Sequence, residues 1–179
     1  MFWPKCAQFC WLCSCPGAKE AMANLLADVK LETVDGQQVD AKTLEGKRVA
    51  LYFSAVWCPD CKPVTPQLKM FYEEVNEDEN QLQVVYVSSD KSAEEMKSYM
   101  KEAHGSWLTV AYDDPMREGL KSKYGYFAGA EQAARPEVER RFGIPCLTVI
   151  DKDGTETVLP EKALEAVTKT GPQAFEGWP

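Results

Sequence analysis

The sequence predicts an α/β fold with a central mixed β-sheet flanked by helices on both faces. Apolar runs of strand length alternate with segments of helical period along most of the chain. Residues 48–55 and 82–88 are nearly continuous apolar runs, the pattern of strands covered on both sides. Residues 146–150 and 155–159 flank an Asp153-Gly154 turn and read as a hairpin, which makes the sheet mixed.

In chain order, residues 22–28 suit a short helix, and residues 29–34 alternate as a strand does. Asp35-Gly36 then turns the chain into Gln37-Gln38-Val39. After the buried strand at 48–55, a helix is expected from Pro59 to about Glu77, where Val64, Leu68, Phe71, Tyr72 and Val75 recur at helical spacing. Pro66 inside it lacks a backbone donor and predicts a kink. A second central strand at 82–88 leads to a helix at 92–103, with Ser92 and Glu95 spaced as a capping box. A strand at 107–112, a helix at 115–124 and the final hairpin follow, then a helix at 161–168. Residues 125–136, rich in Gly and Ala, read as an insertion or loop. The organisation expected is a Cys-rich leader at 1–20, one domain at 21–170 and a tail at 171–179 with two prolines and no period.

A chain of 179 residues buries a core without disulfides or metals, and its 45% hydrophobic and 27% charged residues are ordinary for a globular domain. Its net charge of −8 argues against a nucleic-acid surface or a general anionic-membrane surface. The seven cysteines are unevenly spread, unlike a secreted disulfide framework, so a reducing, cytoplasmic setting is expected. No apolar run reaches the roughly 20 residues of a spanning helix.

The leader, MFWPKCAQFCWLCSCPGAKE, has no clean signal-peptide pattern, and Phe2 in place of glycine excludes myristoylation. Cys6, Cys10, Cys13 and Cys15, set among Phe9, Trp11 and Leu12, leave three readings: acylation with membrane association, a metal or iron-sulfur site, or an unstructured leader.

Cys58 and Cys61 stand three apart behind the first buried strand, in Trp57-Cys58-Pro59-Asp60-Cys61. With Pro59 as first helical residue, Cys58 lies at the cap, where unpaired N–H groups and the helix dipole favour a thiolate nucleophile. One helical turn brings Cys61 close enough to form a disulfide with it. Trp57 supplies a wall and a flat surface for a partner, whereas Asp60 opposes ionisation of Cys58 or serves the helix dipole. A zinc site needs two more ligands; His104 suits a surface or capping position, and no second pair at zinc-ribbon spacing exists. Neither a metal nor another cofactor is expected at the pair.

FSAVWCPDCKPVTPQL at residues 53–68 resembles the active-site segment of the thioredoxin superfamily, including the proline five residues after the second cysteine. GIPCLTVID at residues 143–151 resembles its second signature, in which a cis proline opens the strand facing the disulfide. The resemblance is greatest to the tryparedoxin and nucleoredoxin branch, whose members are dithiol-disulfide oxidoreductases, and in which tryparedoxins carry electrons from trypanothione to peroxidases. It implies a thioredoxin-like fold, Cys58 as nucleophile, Cys61 as resolving thiol, Pro145 as the cis proline, and Ile144 pairing its backbone with a substrate strand. Trp57, Pro59, Asp60 and Cys146 complete the expected active-site surface.

This chain departs from the branch pattern at three positions. Asp60 replaces a second proline, as in a small thioredoxin-related protein that shares WCPDC. Cys146 follows the cis proline, where it traps Cys58, helps resolve a substrate or packs as a small apolar group. Tyr52 stands where thioredoxin has a buried acid, leaving proton transfer to water or another carboxylate.

The expected function is a tryparedoxin-like reductase of protein disulfides such as those of peroxidases, supplied by a trypanothione-like dithiol or a reductase. The alternatives are a non-enzymatic redox sensor or adaptor and a metal-binding leader module.

Overall fold

The computed structural model describes residues 24–179. Seven strands, β1 (Leu31–Glu32), β2 (Gln38–Val39), β3 (Arg48–Ser54), β4 (Leu82–Ser88), β5 (Leu108–Val110), β6 (Cys146–Ile150) and β7 (Glu156–Val158), form one sheet in the order β2-β1-β5-β4-β3-β6-β7. β3 and β4 pair in parallel, as do β4 and β5, and the other pairings are antiparallel. The mixed sheet expected from the terminal hairpin is the one observed.

Four helices, α1 (Cys61–Val75), α2 (Ala93–Ala103), α3 (Pro115–Tyr124) and α4 (Pro160–Glu165), cover this sheet. Successive residues of β3 face opposite sides. Ala50 and Tyr52 pack with Leu68 and Phe71 of α1, Met96 of α2 and Ala163 of α4, whereas Leu51 and Phe53 pack with Leu120 and Tyr124 of α3. Double coverage is why the middles of β3 and β4, residues 49–53 and 84–87, are apolar or aromatic.

Local chemistry sets the helix ends. Ser92 accepts the Glu95 N–H at 3.1 Å, while the Glu95 carboxylate reaches Lys91 N–H rather than that of Ser92. Asp114 caps α3 ahead of Pro115 and accepts Lys30 N–H at 2.7 Å, which ties the approach to β1 onto the sheet. Gly125 ends α3 at φ +71°, where a Cβ would also lie 2.5 Å from the Glu139 carbonyl oxygen.

The described part of the first expected helix is not helical, and two other stretches carry more structure than local pattern indicates. Within the residues read as a first helix, the described part forms turns, with Ala27 bonding Asn24 and Val29 bonding Leu26; so short a segment gains too few bonds to offset helix nucleation. The insertion contains a 3-10 helix at Gly129–Ala134 and is closed at its base by bonds from Arg141 and Phe142 to the Gly125 carbonyl. Residues 171–179 contribute Phe175 and Trp178 to the core, and Arg48 donates to the carbonyls of Trp178 and Pro179 at 3.0 Å each. Cys6, Cys10, Cys13 and Cys15, with the acylation and metal readings attached to them, lie outside the described residues. Among the described residues, no helix is long and apolar enough to cross a membrane.

Candidate active site

β3 and β4 run parallel, with Ser54 and Ser88 in register at their carboxyl ends, the edge of an α/β sheet where crevices form. Beyond β3, the Ala55 carbonyl accepts Cys58 N–H at 3.2 Å, and the Cys58 carbonyl accepts Cys61 N–H at 3.3 Å. These consecutive turns delay the helix. It begins at Cys61 rather than Pro59, so Pro59 is not the first helical residue and Cys58 is not its cap. Asp60 holds the capping position, but its side chain makes no capping hydrogen bond.

Both cysteines of this free dithiol are buried. Cys58 retains 4% exposure and Cys61 none, while Pro59 and Asp60 are exposed and Trp57 is 37% exposed beside them. Ala55, Cys58 and Cys61 form a small apolar cluster closed by half-buried Ile144. The Cys58 thiol donates to the Ile144 carbonyl at 3.6 Å, and the Ile144-Pro145 peptide is cis. The fold therefore brings Trp57, Cys58, Cys61, Ile144 and Pro145 to one place from two distant segments.

Burial pushes the Cys61 thiol up to about 12, and the neighbouring Cys58 thiol adds to the shift. The Ser54 hydroxyl and Ala55 backbone pull the other way. Among the described residues Ser54 Oγ has no hydrogen-bond partner, so it is available to turn toward a Cys61 thiolate. Behind Cys61, Thr65 Oγ1 bonds the Cys61 carbonyl at 3.0 Å and lies 2.5 Å from Tyr99 Oη and 2.8 Å from Tyr52 Oη. Burial raises the Tyr52 phenol, which in this network is a neutral hydrogen-bonding group.

Asp90 is the buried carboxylate of this region. One of its oxygens accepts Val56 N–H at 2.7 Å, and the other accepts the Tyr86 and Ser88 hydroxyls at 2.7 Å each. Ser89 adds a second tether by accepting the Trp57 indole N–H at 3.0 Å. Ser54, Ser89 and Asp90 were not singled out in the sequence. The signal available was the polar Ser88-Ser89-Asp90 run closing an otherwise apolar strand.

Cys146 lies elsewhere: it pairs with Phe53 and packs with Leu51 and Tyr126 on the α3 side of the sheet, and burial holds its thiol well above the ordinary range. His104 ends α2 but is buried rather than exposed. Its Nδ1 accepts the Trp107 indole N–H at 3.1 Å, and burial lowers it to about 3. Among the described residues, no group of three or more His, Cys, Asp or Glu side chains could hold a metal ion.

A family described as thioredoxin-like matches residues 46–156. Nucleoredoxin from Mus musculus is 31% identical over 145 residues, 81% of this chain and 29% of that protein. The chain thus spans less than a third of that relative's length. A solved thioredoxin from Wuchereria bancrofti is 40% identical, with a TM-score of 0.67 over 87% of this chain and 97% of that one. A tryparedoxin II solved in complex with glutathionylspermidine is 25% identical, with a TM-score of 0.63 over 84% and 92% of the two chains. The chain belongs to the thioredoxin superfamily, in its nucleoredoxin and tryparedoxin-like branch.

Proposed function

We propose that this chain is a tryparedoxin-like thiol-disulfide oxidoreductase that reduces protein disulfides through Cys58 and Cys61. The observation that carries the reading is the convergence of the two cysteines with Ile144, whose carbonyl accepts the Cys58 thiol and which precedes the cis Pro145, beside exposed Trp57. Ile144 N–H donates to no group among the described residues, which leaves a main-chain donor for a substrate strand beside Cys58.

In the forward reaction the Cys58 thiolate attacks one sulfur of the substrate disulfide. The substrate S–S bond breaks, a Cys58–substrate disulfide forms, and the departing thiolate takes a proton. Cys61, having lost its proton, then attacks the Cys58 sulfur. A Cys58–Cys61 disulfide forms as the Cys58–substrate bond breaks, the second substrate thiolate leaves and takes a proton, and both electrons of the protein dithiol now reside in the reduced substrate. A donor dithiol restores the pair by the same two exchanges in reverse. A trypanothione-like dithiol is the favoured donor, supported by the glutathionylspermidine held by the related tryparedoxin II. A reductase is the other donor compatible with this scheme. Peroxidase disulfides are the proposed targets, and a cytoplasmic setting suits a pair that must be kept reduced.

Turnover of insulin disulfides with dithiothreitol as donor tests the reading. Wild-type protein is expected to accelerate insulin precipitation, and Cys58→Ser to abolish the acceleration. No Cys58-dependent turnover would leave a redox sensor or adaptor as the better account.

A further inference from the structure

The insertion between α3 and β6 does more than lengthen a loop, because its contacts join it to both sides of the dithiol. On one side Glu131 accepts the Ser89 hydroxyl at 2.8 Å, and the Ser89 carbonyl holds the Trp57 indole. Glu131 is itself fixed by the fully buried Lys121 at 2.8 Å and by Ala128 N–H at 2.9 Å. On the other side the insertion runs through Arg140, Arg141 and Phe142 into Gly143 and Ile144, whose carbonyl faces Cys58.

The charges along this rim are unequally committed. Lys121 and Arg135 pair with Glu118 and Glu131, and Arg117 with Glu118. Arg141 pairs with Glu156. Arg140 is exposed and makes neither a salt bridge nor a hydrogen bond among the described residues, although Glu137 and Glu139 are close in sequence. Its guanidinium lies against two glycine backbones. A Cβ at Gly143 would be 3.2 Å from Nη1, and one at Gly129 would be 3.8 Å from Cζ and Nη1. The cation is thus set beside the main chain that leads directly to Ile144, with its donors uncommitted. Asp60, exposed two residues after Cys58, repels a carboxylate brought near it, so a preference for carboxylates requires one held at Arg140 and away from Asp60.

We propose that Arg140 is a specificity-determining residue that selects disulfide substrates bearing a carboxylate beside the attacked cysteine. The inference rests on the oxidoreductase reading above and deepens it by naming the substrate chemistry. Gly143 adjoins Ile144, so a strand paired with Ile144 passes beside the glycine that the guanidinium flanks. The planar fork of arginine suits a carboxylate, and the glycines on either side leave room for a close approach.

The test uses two disulfide-linked peptide dimers that are identical except for Glu or Gln beside the cysteine. Turnover is measured with dithiothreitol in the full-length wild type, Arg140→Gln and Arg140→Lys. Wild type is expected to favour the Glu peptide by about threefold in kcat/KM, mainly through KM, as an exposed charge pair supports. Added salt should shrink that preference. Arg140→Gln should bring the ratio to about one, and Arg140→Lys should restore part of it. Equal ratios in wild type and Arg140→Gln overturn the inference while leaving the oxidoreductase reading intact. Absence of turnover with either peptide overturns both.

Discussion

In the proposed reaction Cys61 sets a distinctive pH dependence. Its thiol is pushed up to about 12, with burial as the leading cause. Such a group is ionised to about one part in 10⁵ at pH 7, against a few per cent for a free thiol with pKa ~8.5. The resolving step is isolated by loading Cys58 with thionitrobenzoate and following release of the coloured thiol by stopped flow. In that mixed disulfide Cys58 no longer contributes a thiol proton, but burial of Cys61 remains. The release rate is expected to rise about tenfold per pH unit from pH 7 through 9 without levelling, because each unit multiplies the thiolate fraction by about ten. Ser54→Ala removes the hydroxyl that lowers the Cys61 value, so the thiolate becomes scarcer. A hydrogen bond to a charged group is worth ~1.5 kcal/mol, which predicts about tenfold slower release across that range. A plateau at or below pH ~8.5 would refute the assignment of a strongly raised Cys61. An unchanged rate in Ser54→Ala would remove the hydroxyl from the mechanism.

Two further predictions concern stability. Burial lowers His104 to about 3, so between that value and ~6.5 the unfolded chain binds a proton that the folded chain does not, and stability falls as pH is lowered through that window. His104→Asn keeps an acceptor for Trp107 and should lose this component, up to about 1.4 kcal/mol per pH unit; equal losses between pH 7 and 4 in urea melts of both proteins would contradict it. Trp178→Ala should cost about 3–5 kcal/mol in denaturant melts, since the ring packs 5.5 Å from those of Phe71 and Phe175; a loss below about 1 kcal/mol would mean that the end segment contributes little to the core.

The elements most legible in the sequence were those decided by local pattern. Val49 to Phe53 and the run from Leu82 are apolar on both faces because helices cover both sides of the sheet, and Ser92 caps α2 through a residue three positions away. Phe175 and Trp178 gave no periodic sign. Their place is set by Phe71 and by Arg48, more than a hundred residues earlier in the chain. At the site, spacing alone paired Cys58 with Cys61, yet it misplaced the helix start because two tight turns intervene before Cys61. Asp90 and Ser89 reach the loop only because β4 lies beside β3, a consequence of topology that a linear reading of residues 54–61 does not contain.

Cys146 directly follows Pro145, yet its side chain lies with Phe53 and Tyr126 on the α3 side of the sheet, whereas Cys61 belongs to the helix packed on the opposite side. The sheet is therefore a partition, and it divides three buried thiols into two chemical compartments. An oxidised Cys58 finds Cys61 one turn away, while Cys146 stands behind a layer of paired backbone and apolar side chains. Separation is thus built into the architecture, and a third cysteine can sit next to the cis proline without meeting the two thiols of the proposed redox pair.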